Sequence, residues 1–228
     1  MSGRVHERIP YAVQVEFRTA SSFLVAYSVN LSRGGMFLET EQTAEIGTLV
    51  TVHLAVPGAR PLSLNCRVAW RRMPSEADQG PPGLGVEFQD PDGALGAIID
   101  HLITGYSGLN VLLMARKLQD RSSLTRLVRS IVSTAAVSTP PTIESAEEMI
   151  TPSLDLIIVE IDDDEAIRII RRAKADIPPV PVIALASTKK TRERAMAAGA
   201  DEVVDNPPPF GELQTALLRA LGRPLRVR

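Results

Sequence analysis

Residues 8–39 read RIPYAVQVEFRTASSFLVAYSVNLSRGGMFLE, and this stretch decides how the first half of the chain is read. Val13, Val15 and Phe17 alternate with polar neighbours, the two-residue period of a half-buried strand. Phe23–Val29 and Met36–Glu39 read as two further short strands, separated by the turn signal Arg33-Gly34-Gly35. Working outward, the same pattern returns at Leu49–Leu54, Leu62–Trp70 and Gly83–Phe88, with turn chemistry at Pro57-Gly58 and between Pro74 and Pro82. Short strands at this spacing predict a small barrel or sandwich. Asp90–Thr104 reads as one helix, with Asp92 placed to cap it and Leu95, Ile98, Ile99 and Leu102 at helical spacing.

The second half changes period. Val111–Met114, Leu154–Val159 and Val180–Leu185 are continuous apolar runs, suited to strands buried on both faces. Between them lie helical stripes at Leu124, Leu127, Val128, Ile131 and Val132 and at Ile167, Ile170 and Ala173. Thr191–Ala198, a short strand at Val203–Val204 and a helix over Phe210–Leu221 complete the series. Strands alternating with helices predict parallel βαβ units. The expected organisation is α+β with two domains, residues 1–104 and 109–228, joined by the short linker Gly105-Tyr106-Ser107-Gly108.

Composition narrows the function classes. The chain has 228 residues, 44% hydrophobic and 23% charged, with a formal net charge of -2, so it has no signature of a DNA-coating or polybasic membrane-binding protein. Its single cysteine, Cys66, excludes an internal disulfide framework and a Cys-built zinc site, and His6, His53 and His101 show no metal-ligand spacing. No apolar run reaches the roughly 18 to 20 residues of a membrane helix, and the charged start MSGRVHERIPY lacks a signal-peptide apolar region. These features predict a cytoplasmic protein without metal, cofactor or membrane insertion.

Two local motifs carry chemistry. Arg4 and Arg8 stand four apart, and Asn30-Leu31-Ser32-Arg33-Gly34-Gly35 is an N-x-S-x-x-G. Alone, the first reads as a solvated arm and the second as a turn capped by Asn and Ser. Together, in this order and with these flanking strands, residues 1–104 resemble the PilZ domain, a bacterial receptor for cyclic di-GMP. Arg8-Ile-Pro-Tyr11 leading into Val13–Phe17, Leu54–Pro57, Arg67–Trp70 and Gly83–Phe88 extend the likeness. The resemblance implies a six-stranded antiparallel β-barrel with a C-terminal helix. It also implies a ligand site of Arg4, Arg8, Asn30, Ser32 and Gly35: the arginines hold phosphate and guanine edges, Asn30 and Ser32 bond the second guanine, and Gly35 shapes the turn and admits the ligand. The residue chemistry agrees, since a guanidinium forks onto a phosphate or a guanine edge and also stacks on a base.

Residues 109–228 resemble a response-regulator receiver domain, a doubly wound, flavodoxin-like α/β fold. Val182–Leu185, Ala195-Met-Ala-Ala-Gly-Ala-Asp201 and Pro207–Phe210 carry that likeness. The phosphorylation chemistry of receivers is missing. The acidic pair aligns with Ala115 and Arg116, the phosphoacceptor with Glu160, the Thr/Ser position with Ala186 (Ser187 is next to it), and the lysine with Asn206. Asp162-Asp163-Asp164 reads as a helix N-terminus, where carboxylates suit the dipole. A Glu160–Arg116 ion pair mimicking an activated state is one expectation. The whole predicts a non-enzymatic cyclic di-GMP receptor or adaptor without catalytic residues, its pseudo-receiver half binding a protein partner or a second copy, with no direct nucleic-acid contact. The alternative is a nucleotide-independent scaffold made of two degenerate modules.

Overall fold

The computed structural model describes residues 11–30, 34–73, 82–89, 93–175, 178–224 and 226–227. Arg4, Arg8, Ser32, Asp90 and Asp92 lie outside the described residues, as does segment 74–81. In chain order the elements are β1 (Tyr11–Glu16), α1 (Ala20–Asn30), β2 (Gly35–Glu39), β3 (Leu49–Ala55), β4 (Leu62–Arg72), β5 (Gly83–Phe88) and α2 (Ala94–Thr104). There follow β6 (Asn110–Met114), α3 (Leu118–Ile131), β7 (Ala136–Ser138), α4 (Ile143–Glu148), β8 (Leu156–Glu160) and α5 (Asp164–Ala175). The chain ends with β9 (Val182–Ala186), α6 (Lys189–Ala198), β10 (Glu202–Asp205), α7 (Phe210–Gly222) and β11 (Arg226–Val227). Contacts divide the chain into two compact units: Met1–Phe17 with Asn30–Thr104 and Pro224–Arg228, and Arg18–Val29 with Gly105–Arg223.

The first unit is a six-stranded sheet in the order β11-β1-β3-β4-β5-β2. Alternation does the work expected of it. Val13, Val15, Val50, Val52, Leu54, Leu64, Cys66 and Val68 are buried while their strand neighbours face outward, so one face of the sheet becomes a core. Leu95, Ile99 and Leu102 of α2, spaced along one helix face, are buried in the same unit. The sheet departs from the expected wholly antiparallel barrel. β1 runs parallel to β3, in register from Tyr11↔Val50 to Glu16↔Ala55, and the sixth strand is β11, from the far end of the chain. The reason lies in segment 18–29. It does not return as a hairpin partner of β1, so β1 takes β3 on one side and β11 on the other.

That segment is the second correction. Phe23–Val29, expected as a strand, lies within α1. Thr19 and Ser22 cap the helix reciprocally, Ser22 N–H donating to Thr19 Oγ1 at 3.0 Å and Thr19 N–H to Ser22 Oγ at 3.1 Å. The Arg18 guanidinium donates to the carbonyls of Leu154 and Thr151 (3.2 Å), and Thr19 and Ser21 bond the buried Asp155 carboxylate. Phe23 and Ala26 are buried, and Val25 packs on the core formed by α3 and α7. Tertiary anchoring thus overrides a local β pattern, which is a weak prior on its own.

The second unit is a five-stranded parallel sheet in the order β10-β9-β8-β6-β7. Numbered within the unit this is the doubly wound order 2-1-3-4-5, and it meets the flavodoxin-like expectation. The continuous apolar runs are explained by burial on both faces. Leu112, Ile157, Val159, Val182 and Ala184 meet α4, α5 and α6, while Val111, Leu113, Leu156, Ile158, Ile183 and Leu185 meet α3 and α7. β7 and α4 were not foreseen: three and six residues long, they are too short to show a period.

Candidate functional site

In the first unit the site must be built around the two motif residues that are described, Asn30 and Gly35. Asn30 is the last residue of α1, and Gly35 the first of β2, paired with Glu87 of β5. The turn geometry expected of Gly35 belongs to its neighbour. Gly34 has φ +61 and its carbonyl accepts from Phe88 N–H at 2.8 Å. Gly35 serves a different need: a Cβ there would fall on the Val86 carbonyl oxygen, with the carbonyl carbon at 2.8 Å and Glu87 Cα at 3.0 Å. Only glycine lets β2 lie this close to β5. Arg4, Arg8 and Ser32, the other residues expected at the site, lie outside the described residues.

Beside Gly35 the sheet carries an aromatic platform that sequence reasoning passed over. A bulge shifts the β4–β5 register between Val68 and Trp70, placing Trp70 opposite Gly85, which is also the partner of Phe37 on β2. Gly85 has no side chain to part them. A Cβ there would sit 2.6 Å from Trp70 Cδ1 and closer still to the indole Nε1. The rings therefore stack over it with centroids 5.0 Å apart and planes 7° from parallel. Arg72, two residues along the same strand, lies over both rings at 5.0 Å from Phe37 and 5.6 Å from Trp70. Gly35, Phe37, Trp70, Gly85 and Glu87 line a cleft of about 230 Å³ with Met36, Ala69 and Val86. A flat apolar surface topped by a guanidinium can take a planar heterocycle by stacking and an anionic group by charge. The available sequence signal was that Trp70 is the chain's one tryptophan, two residues from an arginine.

In the second unit, the C-terminal ends of the strands hold Glu160, expected from the resemblance at the phosphoacceptor position. Glu160 closes β8, and each oxygen of its carboxylate accepts one hydrogen bond. Oε2 accepts the backbone N–H of Arg116 at 3.0 Å, and Oε1 accepts the side-chain amide of Asn206 at 2.6 Å. The expected Glu160–Arg116 ion pair is corrected: Arg116 meets Glu160 through its main chain, because it sits just beyond β6, beside β8 in the sheet. Asn206, expected at the lysine position, contributes a neutral donor. Arg121 Nε donates to the Ala115 carbonyl at 2.6 Å. Asp163 is the helix-terminal carboxylate foreseen: its Oδ1 accepts from Glu165 N–H and Ala166 N–H at 3.0 Å each. Desolvation, then the Glu160 charge, pushes the Asp162 carboxyl above its ordinary pKa. Among the described residues there is no cluster of three or more His, Cys, Asp or Glu able to hold a metal ion. Among them, too, no helix is long and apolar enough to cross a membrane.

Comparison with known proteins bears on each half. Residues 3–105 match the PilZ domain family, over the stretch whose two motifs carry the resemblance. No curated protein matches the chain. Solved structures similar to it include receiver domains. The signal receiver domain of a DNA-binding response regulator from Colwellia psychrerythraea is 18% identical, with 48% of this chain and 94% of that one covered and a TM-score of 0.42. Chemotaxis protein CheY4 of Vibrio cholerae is 16% identical, covering 50% and 98%, TM-score 0.43. A response-regulator receiver domain protein from Clostridium thermocellum is 20% identical, covering 50% and 94%, TM-score 0.44.

Proposed function

We propose that this chain is a cyclic di-GMP receptor and adaptor of the cytoplasm, with residues 1–104 as the ligand-binding PilZ domain, 105–108 as linker and 109–228 as a pseudo-receiver that engages a protein partner or a second copy. The carrying observation is the match of residues 3–105, with Arg4, Arg8, Asn30, Ser32 and Gly35 all present. The cleft beside Gly35 supports it, because the Phe37–Trp70 stack in its wall is an aromatic surface of the kind a guanine stacks on. Arg4 and Arg8 supply forked donors to phosphate and guanine edges, and Asn30 and Ser32 bond the second guanine.

The chain does no chemistry on its ligand in this reading. The pseudo-receiver lacks the acidic pair and the lysine, and the carboxylate at Glu160 is already bound by Arg116 N–H and Asn206. Its remaining capacity is recognition. Calorimetric titration with cyclic di-GMP tests the proposal. Binding near micromolar, about -8 kcal/mol, should weaken at least about tenfold in Arg8→Ala, the cost of a lost charge-assisted fork. Absence of binding by the intact protein removes this function and leaves the scaffold reading.

A further inference from the structure

The ion pairs of the second unit leave one face out. Arg168 of α5 pairs with Glu147, Lys174 with Asp201, and Arg192 and Arg194 of α6 with Asp205 and Asp164. Residues 116–129, running from the end of β6 into α3, hold five cations, Arg116, Lys117, Arg121, Arg126 and Arg129, against one carboxylate, Asp120. None of the five makes an ion pair among the described residues. Arg121 donates to the Ala115 carbonyl, and Arg126 reaches Ser123 Oγ at 3.5 Å. Leu118 shares the outer face of α3 with Ser122, Thr125, Arg126 and Arg129 by its spacing, and it is 77% exposed. In a chain of net charge -2, this is a concentrated and uncompensated positive face.

The basic face ends at an acidic one. A cleft of about 400 Å³ runs over the C-terminal ends of β6 and β8. Arg116 and Arg121 line it from the α3 side of the sheet, and Glu144, Asp162, Asp163 and Glu165 from the α4–α5 side. No ion pair crosses the cleft among the described residues. The strand ends hold the two poles apart, so both remain open to an outside partner. The same arrangement selects that partner. A lipid surface or a nucleic-acid backbone laid on Arg116 and Arg121 would set its phosphates against the four carboxylates, and like charges brought face to face exclude a partner. The face fits a surface that itself carries an acidic pole beside a basic one. The second unit of another copy is such a surface. A two-fold axis at the cleft lays α3 of each copy on the carboxylates of the other, so that one attractive contact is made twice.

We propose that the second unit binds a second copy of itself through this dipolar face, α3 of one protomer meeting the carboxylates at the starts of α4 and α5 of its partner. Leu118 adds apolar area beside the charges. This rests on the reading of the second unit as an interaction module and names its surface and its occupant.

Charge reversal at each pole of the full chain tests it, read by sedimentation equilibrium. Arg126→Glu with Arg129→Glu makes both poles acidic. Glu144→Lys with Glu165→Lys makes both basic. All four side chains are exposed. Either variant alone should self-associate at least about tenfold more weakly than the wild type. Mixed one to one, the two should recover a dimer: the two reversed poles attract each other, and the two unaltered poles meet as in the wild type. A fold damaged by substitution has no such rescue. The wild-type dimer should also weaken at least about tenfold between about 0.1 M and about 1 M salt, as the screening length falls from about 10 Å to about 3 Å. The proposal is overturned by a wild type that is monomeric at low salt, by a mixture that stays monomeric, or by a dimer indifferent to both variants. It is equally overturned by a wild-type monomer that binds phosphatidylglycerol vesicles through Arg126 and Arg129, which would give the face to a lipid. Calorimetry with cyclic di-GMP separates this from the receptor reading: a dimer that binds no ligand removes that reading and leaves the surface standing, and a monomer that binds it does the reverse.

Discussion

Gly34 and Gly35 adjoin in the sequence, yet replacing each by alanine should fail for different reasons and by different amounts. At Gly35 the added methyl meets backbone only: the Val86 carbonyl oxygen, its carbon at 2.8 Å and Glu87 Cα at 3.0 Å. No side chain can rotate away, so β2 and β5 must separate from their ordinary spacing of about 4.8 Å by roughly an ångström or more. That movement breaks or stretches the ladder bonds around the Gly35↔Glu87 pair. Two such bonds at about 1 kcal/mol each, with the strain of overpacking at about 1–3 kcal/mol, give a loss of about 3–5 kcal/mol. At Gly34 nothing lies within 4 Å, and the cost is only that of holding alanine at φ +61, about 1–2 kcal/mol. Urea unfolding followed through Trp70, the one tryptophan and a member of this sheet, reports on the affected unit directly. A Gly35→Ala protein within about 0.5 kcal/mol of wild type, or one more stable than Gly34→Ala, would refute the close-approach argument.

Asp155 gives a pH-dependent expectation. Burial raises its carboxyl pKa against the lowering effect of its bonds from Asn110 N–H, Thr19 and Ser21 and of the Arg18 charge. The folded chain thus holds this proton more tightly than the unfolded one, so the residue's contribution is fully present below the unfolded value. It is lost as pH rises through the raised folded value. Asp155→Asn should lose that slope, so the stability difference between variant and wild type should drift in the variant's favour from about pH 4 upward; parallel denaturation curves at all pH values would contradict this. For Glu160, incubation with acetyl phosphate and magnesium should add no phosphoryl mass to the intact protein, because both carboxylate oxygens are engaged and neither the metal-binding pair nor the lysine is present. A gain of one phosphoryl group on Glu160 would reverse the reading of the second unit.

Much of the architecture was legible because it rests on local periodicity. Val13, Val15 and Phe17 announce a one-sided strand, and Leu156–Val159 a strand covered on both faces, whichever partners they meet. The expectation that Ala115, Arg116 and Asn206 neither hold a divalent cation nor neutralise a phosphoryl group likewise rests on residue type alone, whatever their rotamers. β7 and α4 escaped notice because three or six residues hold less than two periods of any pattern.

What the amino-acid sequence determined by itself is therefore the two kinds of sheet and the presence of the motif residues. Each depends on residue type and on spacing over a few positions. Only the tertiary structure decided the rest. It made Phe23–Val29 helical through bonds from Arg18 to residues more than 130 positions away. It stacked Phe37 on Trp70 by placing a bulge and Gly85 between strands that are distant in the chain. It closed Glu160 with the amide of Asn206 and the main chain of Arg116, where an ion pair was expected. In each case the deciding energy is a contact between segments far apart in sequence. Local pattern carries no record of such a contact until the chain has folded.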